Sequence, residues 1–189
     1  MVVSYDKDPS VEGKRMSEIT DLWGKDPWNT CFDMLIDANG TVPMCIFSTC
    51  EADVETVMKS PLGMSGSDGR ALKADGPLAK GKPHPRNYGN FPRLLSEYVR
   101  TRNVMDLPTA IHKMTEMPAR KARLVGRGVI AEGNWADLVV FDPHAVKDMA
   151  TFTDPHRYPL GIDYVIVNGR VVVDHGRHTG ELPGMVLTR

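Results

Sequence analysis

The sequence has no apolar run long enough to cross a membrane as a helix, which excludes a spanning role of that kind. It has no excess of either charge: 23 basic and 24 acidic side chains leave a net charge of −1. A partner held by bulk charge, such as nucleic acid or an anionic membrane surface, is excluded on that ground. Cysteine is scarce and odd in number, at Cys31, Cys45 and Cys50. That excludes a paired disulfide framework and predicts reduced thiols in a cytoplasmic protein. Cys45 and Cys50 lack the second Cys or His pair that would complete a metal site. Met1 to Lys7 lacks a basic region followed by an apolar run, so no signal peptide is expected. Internal repeats and low-complexity tracts are also missing.

What is present is enough to bury a core, since 41% of the 189 residues are hydrophobic. That length fits one large domain or two small ones. Val2 to Tyr5 reads as a short strand. Met16, Ile19, Leu22 and Trp23 recur at helical spacing. Asp26-Pro27 supplies an N-cap and a first-turn proline for a helix running to about Ala38, which Asn39-Gly40 closes. Val42 to Phe47 is strand-like but interrupted by Pro43. Ser48 or Thr49 is placed to cap a helix over Glu51 to Lys59, with Val54, Val57 and Met58 as its buried face. Gly63 to Ser67 then reads as a short buried strand, and a helix followed closely by a strand is the α/β rhythm.

That strand would end at Asp68-Gly69. A lone carboxylate at the C-terminal end of a strand is where a parallel α/β barrel keeps its general bases. Asp-Gly is equally a common turn pair. Arg70 to Asn90 is a long stretch rich in Gly and Pro, which reads as a loop that is either functional or disordered. Helices are expected over Phe91 to Thr101, over Leu107 to Met114, and from Pro118 through Leu124. After Gly126 the texture turns to strands. Leu138 to Phe141 is an apolar strand between acidic ends. Asn168-Gly169 between β-branched runs is a strong hairpin signal. Residues 126–189 are therefore expected to form a β-rich unit.

Gly126-Arg127-Gly128-Val129-Ile130-Ala131-Glu132-Gly133-Asn134-Trp135-Ala136-Asp137-Leu138-Val139-Val140-Phe141-Asp142 resembles the closing segment of the amidohydrolase superfamily. Other stretches narrow the likeness. They are Gly66-Ser67-Asp68-Gly69, Gly76-Pro77-Leu78 with His84-Pro85-Arg86-Asn87-Tyr88-Gly89, and Thr153-Asp154-Pro155-His156-Arg157-Tyr158-Pro159. In that order the chain resembles the N-acyl-D-amino-acid deacylases, or D-aminoacylases, over their C-terminal portion.

The resemblance implies an α/β fold, the C-terminal part of a metal-dependent (β/α)8 amidohydrolase barrel. It implies a lid-like insertion over residues 1–50, the last barrel strand and closing helices over 51–125, and a small β-rich domain over 126–189. It implies a hydrolase of carbon–nitrogen bonds in linear amides, acting on an N-acyl-D-amino acid. Asp68 matches the carboxylate that serves as general base and then acid. Arg86 matches the arginine that holds the substrate α-carboxylate, and His84 lies two residues away in the same substrate-binding loop. Zinc is the cofactor of the complete family enzyme. The H-x-H of the family's first barrel strand has no counterpart here, so the chain alone is expected to retain little zinc and little activity. The alternative is a remnant that acts only as a structural or partner-binding piece. Either way an N-terminal fragment or a second copy is the expected protein partner.

Overall fold

The computed structural model describes residues 1–188. Among them no helix is long and apolar enough to cross a membrane. The chain divides into two compact units, each made of three separate segments.

The first unit takes residues 1–48, 68–88 and 149–158. Its core is Val2, Tyr5, Val11, Ile19 and Met34, with Met16, Trp23, Ala38 and Val42 packed against them. Helix α1 spans Met16–Trp23 and buries Ile19. Helix α2 spans Pro27–Asp37. The Asp26 carboxylate accepts from the backbone N–H groups of Trp28 and Asn29, so the cap read from Asp26-Pro27 is the one formed. Asn39 and Gly40 both take positive φ and end the helix as expected. The opening strand is reduced to one bridge, Val2 with Met44, because Pro43 cannot donate to a longer ladder. Gly81 has no room for a side chain, since a Cβ there would meet the Val3 carbonyl oxygen at 2.4 Å. The Lys82 N–H donates to that same carbonyl, and a glycine lets the two backbones approach.

The second unit takes residues 49–67, 89–148 and those from 159 onward. Helix α3 spans Glu51–Lys59, as expected, but Cys50 is its N-cap and makes no side-chain bond there. Nor does α3 bury Val54, Val57 or Met58; Val57 is 67% exposed. Charge holds it instead. Arg102 pairs with Glu55 at 2.7 Å and with Glu51 at 3.6 Å, and the Tyr98 hydroxyl donates to Glu51. Gly63 to Ser67 is not a strand. A strand is made by its ladder, and this segment belongs to none; Ser65 N–H donates to the Lys113 carbonyl, a residue of the helix Leu107–Met114 rather than of a strand.

Helix α4 begins at Arg86, five residues before the expected start, and runs to Arg93. Pro92 lies inside it and has no N–H to give. From Leu94 to Thr101 the chain continues as a π-helix, closed by an Arg102 N–H to Glu97 carbonyl bond. Helix α5 is Leu107–Met114, capped by Asp106. Helix α6 is Glu116–Ala122, ended by Arg123 at positive φ. Leu94, Leu95, Ala110 and Val146 form the core here, with Met105, Met114 and Phe141 against it.

The β-rich segment forms a four-stranded antiparallel sheet, ordered β1-β2-β3-β4. The strands are β1 Leu138–Phe141, β2 Ile162–Val167, β3 Arg170–Asp174 and β4 Arg177–His178. Asn168-Gly169 makes the tight turn between β2 and β3, both residues at positive φ.

Lys113 is the one buried cation in the second unit's described residues, at 5% exposure. Its ammonium donates to the carbonyls of Met58, Ser60 and Gly63. Lys113→Met would leave those carbonyls without a donor. We expect a loss of about 2–4 kcal/mol in urea unfolding, with the sheet's hydrogen-exchange protection lowered in parallel.

Candidate functional site

Asp68, His84 and Arg86 all fall in the first unit, and the structure brings them together. Asp68 sits in the left-handed region at φ +46, which an aspartate tolerates better than most residues. Its Oδ2 lies 2.8 Å from Arg86 Nη2. The carboxylate side chain is 86% exposed and the arginine 40% exposed. Arg86 is the first residue of α4, and its backbone N–H donates to His84 Nδ1 at 3.1 Å. The His84 ring thus carries its lone pair on Nδ1 and serves as a cap for the helix that starts the arginine.

Asn87 joins the two halves of the site. Its amide nitrogen donates to the His84 carbonyl at 2.8 Å, and its carbonyl oxygen accepts from the Arg70 N–H at 2.6 Å. The Asp68 turn and the start of α4 are therefore tied by a neutral bond as well as by the ion pair. Asn87 was not singled out by the sequence. Its signal is a side-chain amide in the first turn of a helix, beside a capping residue. Further along, the Tyr88 hydroxyl donates to the Lys73 carbonyl, and Tyr158 Oη accepts from the Ala74 N–H. Tyr88 also meets the rings of His156 and Tyr158 edge-on. These contacts give the long Gly- and Pro-rich loop a fixed course. His156 Nε2 is buried with no hydrogen-bond partner.

Burial holds the His84 imidazolium less stable than usual, the Arg86 charge adds to that, and Asp68 acts in the opposite sense. The His84 pKa is accordingly below its ordinary value of 6.5. The sign follows directly. Below pH 6.5 the unfolded chain takes up a proton that the folded chain refuses, so stability is full above that pH and falls beneath it. We expect thermal melts to drop between pH 7.5 and pH 5.5. His84→Asn keeps a capping acceptor without the titration and should flatten that drop.

Burial likewise pushes the Cys45 thiol up, opposed by the N-terminal and Arg86 charges. Among the described residues no three His, Cys, Asp or Glu side chains are grouped so as to hold a metal ion. The donor set for a catalytic zinc, three protein ligands and an open position, does not fit the residues present here. In the second unit an open depression of about 400 Å³ is lined by Gly133, Asn134, Trp135, Ala136, Asn168 and Gly169. Asp68, His84 and Arg86 do not line it.

A family described as the amidohydrolase family matches residues 11–173. An N-acyl-D-aspartate deacylase of Alcaligenes xylosoxydans xylosoxydans is 37% identical over 179 residues, which is 95% of this chain and 34% of that protein. A solved D-aminoacylase with a binuclear metal centre superposes with a TM-score of 0.82 at 34% identity, over 96% of this chain and 36% of that one. The N-acyl-D-glutamate deacylase of Bordetella bronchiseptica, solved with zinc and a phosphonate mimic of the tetrahedral intermediate, gives 0.72 at 36% identity. It covers 83% of this chain and 31% of that one. The chain thus spans about a third of the length of the relatives it matches.

Proposed function

Because the chain belongs to the amidohydrolase family, we propose that it carries the proton-transfer and carboxylate-binding groups of an N-acyl-D-amino-acid deacylase. The observation that supports this reading is the solvent-exposed ion pair of Asp68 with Arg86, 2.8 Å apart. An amide needs a proton taken from the attacking water and a proton given to the departing nitrogen. One carboxylate can do both in turn, and Asp68 is the candidate. Arg86 would hold the α-carboxylate of the N-acyl-D-amino acid by two parallel hydrogen bonds, which fixes the face of the α-carbon offered for reaction. A ring-opening relative acting on a cyclic imide would have no free carboxylate for that clamp. His84 supports the reading as the cap of the helix that begins with Arg86.

We assign residues 1–50 to a lid-like insertion, 51–125 to the closing helices and the segment that would become the last barrel strand beside the rest of a barrel, since Gly63 to Ser67 has no ladder in this chain alone, and 126–189 to a small β-rich domain. Zinc belongs to this reading as the cofactor of the assembled enzyme. Its ligands would lie in polypeptide other than the residues described here, so no step is assigned to it. The alternative, a structural or partner-binding piece, is favoured by the missing ligand set.

Co-expression with a polypeptide carrying H-x-H, followed by an assay for release of a free D-amino acid, separates the two. Turnover that depends on both pieces supports the enzyme. Stable binding without turnover supports the alternative. Stoichiometric zinc and turnover by this chain alone would refute the division of parts. The partner reading has its own test. Val139 and Val140 are 54% and 48% exposed on β1, one of the two edge strands of the sheet. We expect the isolated chain to self-associate in sedimentation velocity, and Val139→Lys to suppress it.

A further inference from the structure

We propose that Asp68 and the substrate α-carboxylate compete for the same face of Arg86, so that substrate binding is an exchange of carboxylates that releases Asp68 for proton transfer. This rests on the assignment of the two residues made above. In the structure Asp68 Oδ2 lies 2.8 Å from Arg86 Nη2. A bidentate substrate carboxylate needs that same nitrogen. With Oδ2 held on the guanidinium only Oδ1 is open to a proton from water, whereas a released carboxylate offers both oxygens.

Energetics permit the exchange. The Asp68 side chain is 86% exposed, and an ion pair so open to water is worth little. A substrate carboxylate that gains two parallel bonds displaces it readily. The fold survives the exchange because the pair is not what holds the loop. Arg70 N–H on Asn87 Oδ1 keeps the turn against α4, and Arg86 N–H on His84 Nδ1 keeps the arginine's backbone in place. Asp68 is then free to swing about its side-chain bonds while its backbone stays at φ +46. The consequence is a device that senses substrate. N-acyl amino acid esters or amides, with no free carboxylate, would leave Asp68 on Arg86. They would be poor in kcat as well as in binding.

The test uses the full chain and N-acetylglycine as probe, with N-acetylglycinamide as the control lacking the carboxylate. Affinity is read by NMR titration for the wild type, Asp68→Asn and Arg86→Gln, and the Asp68 side-chain carboxyl carbon is followed in the same spectra. We expect Asp68→Asn to bind the probe more tightly than wild type, by up to about fivefold, the most an exposed pair is worth. We expect the Asp68 carboxyl signal to move on titration in the wild type and to stay in Arg86→Gln. Equal affinity in wild type and Asp68→Asn, with binding still lost in Arg86→Gln, overturns the competition and leaves the clamp standing. Binding that ignores Arg86→Gln, or no preference for the acid over the amide, overturns the clamp and the exchange together.

Discussion

We expect Asp68→Asn to lower kcat for an N-acyl-D-amino acid by about 10²–10⁴-fold in the assembled deacylase proposed above, the usual worth of a positioned acid–base group. The substitution isolates that role. Asparagine has the same shape, and its carbonyl oxygen can still accept from Arg86 Nη2 where Asp68 Oδ2 does. It also tolerates the left-handed backbone that position 68 adopts at φ +46. The side chain is mostly in water, so the change removes no packing. Only the capacity to take and return a proton is lost. KM should stay level or fall by up to about fivefold, as expected when an internal competitor for Arg86 is weakened. Melting temperature and metal content should not change. A variant that turns over within tenfold of wild type would remove Asp68 from the proton path.

Asp68 and Arg86 are 18 positions apart, and nothing in the local chemistry of either stretch predicts an ion pair between them. The family resemblance put both in one site. It did not show that one would sit on the other. What reads reliably from sequence is local: Asp26-Pro27 as a helix start and Asn168-Gly169 as a hairpin turn depend only on near neighbours. What does not read is decided by tertiary partners. Val54 and Val57 carry a helical apolar spacing, yet α3 is fixed through Glu51, Glu55 and Arg102. Gly63 to Ser67 has a strand's composition but joins no ladder. Lys113 did leave a trace, since it lies three residues after Ala110 and next to Met114, on the apolar stripe of α5. A lysine in that position needs acceptors, and the three carbonyls around it are those acceptors.

Arg86→Lys should raise KM by roughly 10–100-fold while kcat falls less. The charge is kept, so long-range attraction of an anionic substrate survives. The backbone is also kept. Lysine is a good helix former, and its N–H can still donate to His84 Nδ1 as Arg86 N–H does. What is lost is the planar fork, and with it two bonds of fixed direction to one carboxylate. An ammonium group holds a carboxylate as a point charge and lets it rotate. Binding therefore weakens, and the orientation of the α-carbon is relaxed. The preference for D over L substrates should narrow in the same variant, because chirality is read only when the carboxylate, the amide and a third point are all fixed. If Arg86→Lys left KM and the D-to-L ratio as they are, Arg86 would be serving as a general positive charge. The fork geometry, and the exchange of carboxylates built on it, would then have no part in recognition.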